Sequence, residues 1–377
     1  MEGNTRRCLN RIEHFLGRQE SLVRIEKSEI ASKISVLKNA IPAKTTIQEM
    51  KGILLHAGRL ITYNTELEIS TEVDSAHPDE SFVIPMNAIE LIKNLPDGAI
   101  DISKAAGKGS TIRIKSGGIS SSFQSGSPEN FARMDDVESG ERFSADIEDL
   151  QKMVSSISYA VSVDANRPQY NGILFDADGE ELNLVALDGT RAAWAHCPFR
   201  QTFKFVVPRT AIKALLDIGL DAGVRIACGR RHAEFEIGEY KVKTRLLEGS
   251  WLDYKKAFPT AGDTVEINRA ALMDAAKRTM ICCQSAAKNL IKLEFSDTVV
   301  KVSSREAFGE YSEEIPISTS VNDGLRIGFN ARYLADALKS YDAEVLPFRF
   351  VASASPLVID HGNVRSMVLP VRLKKEQ

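Results

Sequence analysis

The chain carries few side chains whose type and spacing could do covalent chemistry. Asp188, Arg191 and His196 lie near one another in sequence and would suit an acid–base group. An Asp188-Gly189 pair, however, also reads as a turn whose aspartate caps backbone amides. His196 beside Cys197 is the one place where a histidine adjoins a cysteine. Adjacent residues on a strand point to opposite faces, so a metal there needs distant partners. The other histidines, His14, His56, His77, His232 and His361, stand apart without ligand spacing. Gly107-Lys108-Gly109-Ser110-Thr111 approaches a phosphate loop, but lacks a Ser or Thr directly after the lysine and the earlier glycine. It reads as a turn between strands. With no H-E-x-x-H and no G-x-S-x-G, the expectation is a protein with no catalytic residues, no cofactor and no metal.

The chain that must position these residues is 377 residues long, enough for two or three domains at about 150 residues each. Hydrophobic residues make up 43% and charged residues 26%, which excludes disordered, collagen-like and coiled-coil classes. Lys and Arg number 48 against 51 Asp and Glu, for a formal charge of -3. That balance argues against a protein coated in nucleic acid and leaves room for a local basic surface. No apolar run approaches the roughly 18 residues of a membrane helix. The opening MEGNTRRCLNRIEHFLGRQE lacks the apolar stretch of a signal peptide, so a cytoplasmic protein with no membrane partner is expected. Five cysteines (Cys8, Cys197, Cys228, Cys282 and Cys283) form no C-x-x-C pair, which fits reduced thiols.

An internal repeat organises the chain. Residues 146–158 place Ile147, Leu150, Met153, Val154 and Ile157 on one helical face. The β-rich run 172–175 then reaches an Asp178-Gly179 turn and returns through 182–186. The same order begins earlier with Ile30, Ile34 and Leu37, then 52–55, Gly58 and 60–63. It begins again with Ala271, Leu272, Ala275 and Ala276, then 290–295 and 299–302. From Gly52 to Gly172 is 120 residues, and from Gly172 to Leu290 is 118. A second helix follows in each copy, after Pro85, Pro208 and Asn330, and each leads into a strand. The predicted boundaries are 21–138, 139–262 and 263–377, after an N-terminal extension of residues 1–20 in which Leu9, Ile12, Phe15 and Leu16 share helical spacing. The polar stretches 134–142 and 259–264 are expected as linkers, and 116–127 as a flexible loop or a weak edge strand.

Four segments carry a family resemblance. NRPQYNGILF (166–175), VALDGTRAA (185–193), LEGSWLDYKKAFP (247–259) and the terminal MVLPVRL (367–373) resemble the bacterial sliding clamp, the β subunit of DNA polymerase III. The resemblance covers about residues 21–373 in order. It implies an α+β fold of three tandem repeats, each with two helices and antiparallel sheets, assembling into a closed ring. Two chains would close head to tail around double-stranded DNA, with helices lining the hole and no catalytic activity. Such a ring tethers the replicative polymerase for processive synthesis.

The resemblance also implies sites. Sequence-independent contact needs basic side chains aimed at phosphates, and the candidates are Lys27, Lys33, Lys38, Lys93, Lys152, Arg209, Lys213, Arg269, Lys277, Arg278, Arg332 and Lys339. The same helices carry Glu26, Glu29, Glu90, Asp146, Glu148, Asp149, Asp217, Asp274 and Asp336. Peptides of the DNA polymerase III α subunit, the clamp loader and other clamp-binding proteins would insert into a pocket formed by Tyr170, Leu187, Gly189, Thr190, Arg191, Ala192, Leu252, Lys256, Ala257, Met367, Leu369, Pro370, Val371 and Arg372. Strand alternation would put Met367, Leu369, Val371 and Leu373 on one face, and Pro370 would mark an edge or terminal strand. Phe123 would meet Ile281 and Cys282 across the dimer interface. The chain departs from the family at Leu252, where proline is common, at Lys256, where arginine is common, in the extension 1–20 and in the tail 374–377. The rival readings are a three-domain peptide-binding adaptor that never encircles DNA and a hydrolase built on Asp188 and His196.

Overall fold

The computed structural model describes residues 22–74, 79–104, 111–137, 141–145, 150–220, 223–282, 289–306, 309–317 and 324–373. The extension 1–20, His14, His77, Cys8, Cys283, the Gly107 to Ser110 turn, Asp146, Glu148, Asp149 and the tail 374–377 lie outside the described residues.

One element order recurs three times. The first copy runs β1 (Leu22–Glu26), α1 (Lys27–Leu37), β2 (Ile53–His56), β3 (Arg59–Tyr63), β4 (Leu67–Glu72), β5 (Phe82–Ile84), α2 (Met86–Asn94), β6 (Ala99–Lys104), β7 (Thr111–Ser116) and β8 (Ile119–Gln124). The second runs β9 (Glu141–Ala145), α3 (Leu150–Ile157), β10 (Gly172–Asp178), β11 (Glu181–Leu187), β12 (Arg191–Pro198), β13 (Thr202–Pro208), α4 (Arg209–Ile218), β14 (Val224–Cys228), β15 (His232–Ile237) and β16 (Tyr240–Arg245). After a short helix α5 (Tyr254–Ala257), the third runs β17 (Asp263–Asn268), α6 (Arg269–Cys282), β18 (Leu290–Phe295), β19 (Val299–Glu306), β20 (Gly309–Pro316), β21 (Arg326–Asn330), α7 (Ala331–Lys339), β22 (Val345–Phe350), β23 (Leu357–His361) and β24 (Val364–Val368).

In space the chain divides into two compact units, Met1–Ile147 with Lys213–Arg245, and Glu148–Ile212 with Leu246–Gln377. The first unit contains a four-stranded sheet, β1-β6-β7-β8, and an eight-stranded sheet, β5-β2-β3-β4-β16-β15-β14-β9. The second contains an eight-stranded sheet, β13-β10-β11-β12-β24-β23-β22-β17, and a four-stranded sheet, β20-β19-β18-β21. The sequence repeat and the compact unit differ because the hydrogen-bond ladders β4–β16 and β12–β24 run across repeat boundaries. An unpaired strand edge is a liability, and joining the sets removes it.

Local chemistry explains the elements. In α1, Ile30, Ile34 and Leu37 are buried as the periodicity requires. α7 is capped by Asn330, whose side chain accepts the amides of Arg332 and Tyr333, a contribution of about 1 kcal/mol. Pro85 is the N-cap of α2, one position earlier than the first helical turn, and its carbonyl accepts the amides of Ala88 and Ile89. The Asp178 carboxylate accepts the amides of Glu180 and Glu181 and so closes the β10–β11 hairpin. β8 is the outermost strand of its sheet, which settles the choice between loop and edge strand for residues 119–124. Both polar runs expected as linkers contribute residues to the folded sheets and core. Met134 is buried, β9 pairs with β14, and Asp263 and Thr264 open β17 against Phe350 and Arg349.

Candidate functional site

The site is built on one face of the second unit's eight-stranded sheet. Leu187 stands opposite Ala192, and Ala192 opposite Met367. Leu174, Val185, Leu187, Ala192, Trp194, Val206, Tyr254, Phe258 and Val358 form a buried apolar floor. Tyr170, Leu247, Trp251 and Met367 pack against it while remaining partly exposed. The rim is aromatic: Tyr170 meets Trp251 edge-on at 5.1 Å, and the Trp251 indole donates to the Gln169 carbonyl at 3.0 Å. Trp194 meets Tyr254 at 5.2 Å, and Arg365 lies over its ring at 4.8 Å. Half-buried, pre-packed apolar side chains of this kind supply the anchors of short-peptide binding.

The turn at the end of β11 is fastened internally. Asp188 Oδ1 accepts the Thr190 amide at 2.8 Å, the Thr190 hydroxyl at 2.6 Å and the Arg191 amide at 3.0 Å. Gly189 has φ +89°, a left-handed conformation that suits glycine. Asp188 is therefore a capping aspartate. His196 stands opposite Asn183 and pairs with Glu181 at 3.4 Å. Its position is about 17 Å along the strand from Asp188, too far for an acid–base dyad. The hydrolase reading loses its geometry.

Arg191 does not join the pocket rim. Its Nε donates to Asp188 at 2.9 Å and its Nη1 to Asp336 of α7 at 2.7 Å, and the guanidinium lies 4.3 Å from the Tyr333 ring centre. With 12% of the side chain exposed, it is sequestered on the face opposite Ala192. Beneath it, the Tyr159 and Tyr341 hydroxyls both meet Ser366 Oγ at 2.9 Å. Burial pushes both phenols up from their usual range.

The C-terminal segment also differs from its expected form. β24 ends at Val368 and lies between β12 and β23, so it is an internal strand and Pro370 falls beyond it. Val364, Ser366 and Val368 are buried on one face and Met367 points to the other. Past Val368 the alternation stops. The Leu369 amide donates to Thr190 O at 2.9 Å, and the Val371 amide to Gly328 O at 2.7 Å. Gly328 admits this segment, since a Cβ there would meet Leu373 Cδ2 at 2.7 Å. Leu369 is 37% exposed and Leu252 52% exposed, and Arg372 is also exposed. Lys256 on α5 pairs with Asp253 at 2.8 Å, and Ala257 is half-buried. Tyr170, Leu187, Ala192 and Met367 thus share one cluster. Gly189, Thr190 and Leu369 border it through the turn, and Leu252, Lys256 and Ala257 flank its members Trp251, Tyr254 and Phe258. Sequence reasoning passed over Leu247, Trp251 and Tyr254, although all three stand within the 247–259 motif.

The basic candidates fall into groups. Lys38, Lys93, Lys152, Arg209, Lys213, Lys277, Arg278, Arg332 and Lys339 are exposed. Several are partnered: Lys93 with Glu90 at 2.6 Å, Lys213 with Asn39 at 3.1 Å, Lys277 with Asp274 at 3.0 Å and Arg278 with Glu313 at 2.7 Å. Lys27 meets Asp97 at 3.3 Å. Lys33 is a correction: only 2% exposed, it is enclosed by Glu29 and Glu239 and cannot reach a phosphate. Arg269 is half-buried at the start of α6 and donates to the Ala343 carbonyl at 2.8 Å.

At the proposed interface, Phe123 is half-buried on β8, while Ile281 is 69% exposed and Cys282 exposed at the end of α6. β8 and β20 are outermost strands, each in its own unit. Among the described residues no His, Cys, Asp and Glu side chains gather as a metal site, and no helix is long and apolar enough to cross a membrane.

This fold and site define a three-repeat clamp, and comparison with known proteins agrees. Residues 145–253 match the family model of the DNA polymerase III beta subunit central domain, and residues 255–372 that of its C-terminal domain. The beta sliding clamp of Pseudomonas aeruginosa is 26% identical, covering 93% of this chain and 99% of the relative, and that of Escherichia coli K12 is 24% identical over 365 residues. Among solved structures, the Bacillus subtilis sliding clamp superposes with a TM-score of 0.86 at 20% identity over 94% of this chain and all of the other. A putative DNA polymerase III beta subunit of Eubacterium rectale gives 0.85 at 23% identity, over 93% of this chain and 99% of the other. The chain belongs to the DNA polymerase III β subunit family, the β sliding clamps.

Proposed function

We propose that the protein is a DNA sliding clamp: two chains close head to tail into a ring around duplex DNA and hold the replicative polymerase at its template. The observation that carries this reading is a rule in the strand pairing. Each repeat supplies two four-stranded sets, and the sets are joined through their last strands. β4 of the first repeat joins β16 of the second, and β12 of the second joins β24 of the third. Extended once more, the rule pairs β20 of the third repeat with β8 of a first repeat, and both strands stand at open edges. A second copy of the chain supplies that partner. The repeats 21–138, 139–262 and 263–377 then serve as three clamp domains.

The role asked of the protein is mechanical. A closed ring leaves DNA only by opening or by sliding off an end, so scattered cations such as Lys38, Arg209, Arg332 and Lys339 need supply only loose phosphate contact. The groove around Tyr170, Leu187, Ala192 and Met367 receives the peptides of the polymerase α subunit, the clamp loader and other partners, in the cytoplasm and without a reaction catalysed by the clamp. Sedimentation at low micromolar concentration tests the assembly. The wild type should run as a dimer and Phe123→Asp as a folded monomer; an unchanged dimer would move the interface away from β8.

A further inference from the structure

At the start of β24, on the sheet face away from the peptide groove, lies a second hollow. Val364 stands opposite Ala195, about 10 Å along the strand from Met367, and is buried on the face that carries α3 and α7. Above it is a cavity of about 340 Å³, at the lower end of the range for small-molecule sites. All of its walls belong to the second unit. Met153, Tyr341 and Val364 make a buried apolar floor, while three basic side chains reach the mouth from three different elements. Lys152 comes from α3, Lys339 from the last turn of α7, and His361 from the turn between β23 and β24. All three are exposed.

The elements that carry these groups are fixed. The Tyr341 hydroxyl donates to the Ile359 carbonyl at 3.1 Å and to Ser366 at 2.9 Å, and the His361 ring stands edge-on to the Tyr341 ring at 6.5 Å. Gly362, at φ +64°, turns the hairpin, and the Asn363 carbonyl accepts the His196 amide at 3.0 Å. At the end of α7 the Ala337 carbonyl accepts the Ser340 amide and hydroxyl, and the Leu338 carbonyl accepts the Tyr341 amide. These carbonyls have partners, and Lys339 offsets the negative end of the helix. The balance of charge then defines the ligand. Asp342 is the carboxylate of the lining among the described residues, and Asp360, next to His361, is engaged by Arg365 at 3.1 Å and Arg349 at 3.9 Å. Lys152, Lys339 and a protonated His361 therefore outweigh Asp342 by two charges. Cations gathered at one mouth repel, and an anion between them removes the repulsion. A phosphomonoester carries about two negative charges at neutral pH, whereas each DNA phosphate carries one.

We propose that this cavity binds the phosphate group of a small phosphomonoester, held by Lys152, Lys339 and His361. It is a site separate from the peptide groove, because the sheet lies between them. The probe is inorganic phosphate, titrated at neutral pH and constant ionic strength into the full-length protein carrying isotope-labelled histidine. NMR follows the ring signals, and His361→Gln identifies the one that belongs to His361. That signal should move saturably, while those of His56, His196 and His232 stay in place. Lys152→Gln/Lys339→Gln should weaken the binding at least about tenfold, the loss expected when charged donors are removed. Both lysines are exposed, and unchanged signals from the other three histidines show that the variant is folded. A His361 signal that does not move, or that moves linearly without saturating, overturns the proposal. Equal affinity in the double variant does the same. A short DNA duplex that moves the signal at lower concentration than phosphate would make the cavity a DNA contact and overturn the small-molecule assignment.

Discussion

Arg191 Nη1 lies 2.7 Å from Asp336 Oδ2, and this contact ties the turn that borders the proposed peptide groove to helix α7. The arginine is held at its other edge by Asp188 at 2.9 Å. We propose that it acts on that groove as a positioning residue, since its guanidinium turns away from Ala192.

Asp336→Asn should therefore weaken a peptide that it never touches. Loss of one charged partner from a sequestered guanidinium costs about 1.5–3 kcal/mol, which urea denaturation would read as a lower midpoint. Peptide titration should show a parallel loss of affinity. A destabilised variant with unchanged peptide affinity would confine the contact to stability.

The hairpin closed by Asp178 gives a pH signature. The Glu181 amide, then Lys255 and the Glu180 amide, hold this carboxyl well below the usual carboxylate range. A depressed folded pKa means the contribution is complete above the unfolded value of about 3.9 and fades as pH falls toward the folded value. The urea midpoints of wild type and Asp178→Ala should differ more at pH 7 than at pH 3. Equal differences at both would show that the carboxylate charge is not what closes the turn.

The C-terminal segment can be tested by truncation placed to spare β24. Val368 is buried inside the sheet, so cuts before it damage the core. Removing residues 369–377 strips the bonds from Leu369 to Thr190 and from Val371 to Gly328. Peptide binding should fall sharply while the dimer persists, and removing 374–377 alone should do little. Full affinity after the longer cut would move the groove away from this segment.

What the sequence made legible was what near neighbours determine. The Asp178-Gly179 hairpin, the helices after Pro85, Pro208 and Asn330, and the edge strand 119–124 each follow from a few adjacent residues. Arg191 was misplaced at the rim because its partner Asp336 stands on a later helix, and only the folded chain brings the two together. Lys33 shows a signal that was present and passed over: it shares the helical face of Ile30, Ile34 and Leu37, a position that buries a lysine unless it is exposed by chance. Its partner Glu239 comes from another repeat. Of the edge or terminal strand expected at Pro370, β24 is the last described strand but not an edge, since the strand that covers it, β12, lies far back in the chain.

The central claim, that the protein holds DNA by topology, is tested by retention on nicked circular and linearised plasmid after loading. The protein should remain on the circle through a high-salt wash that removes phosphate contacts, and should be lost when one restriction cut opens an end. Equal retention on circle and line, or loss from both at the same salt concentration, would contradict the ring.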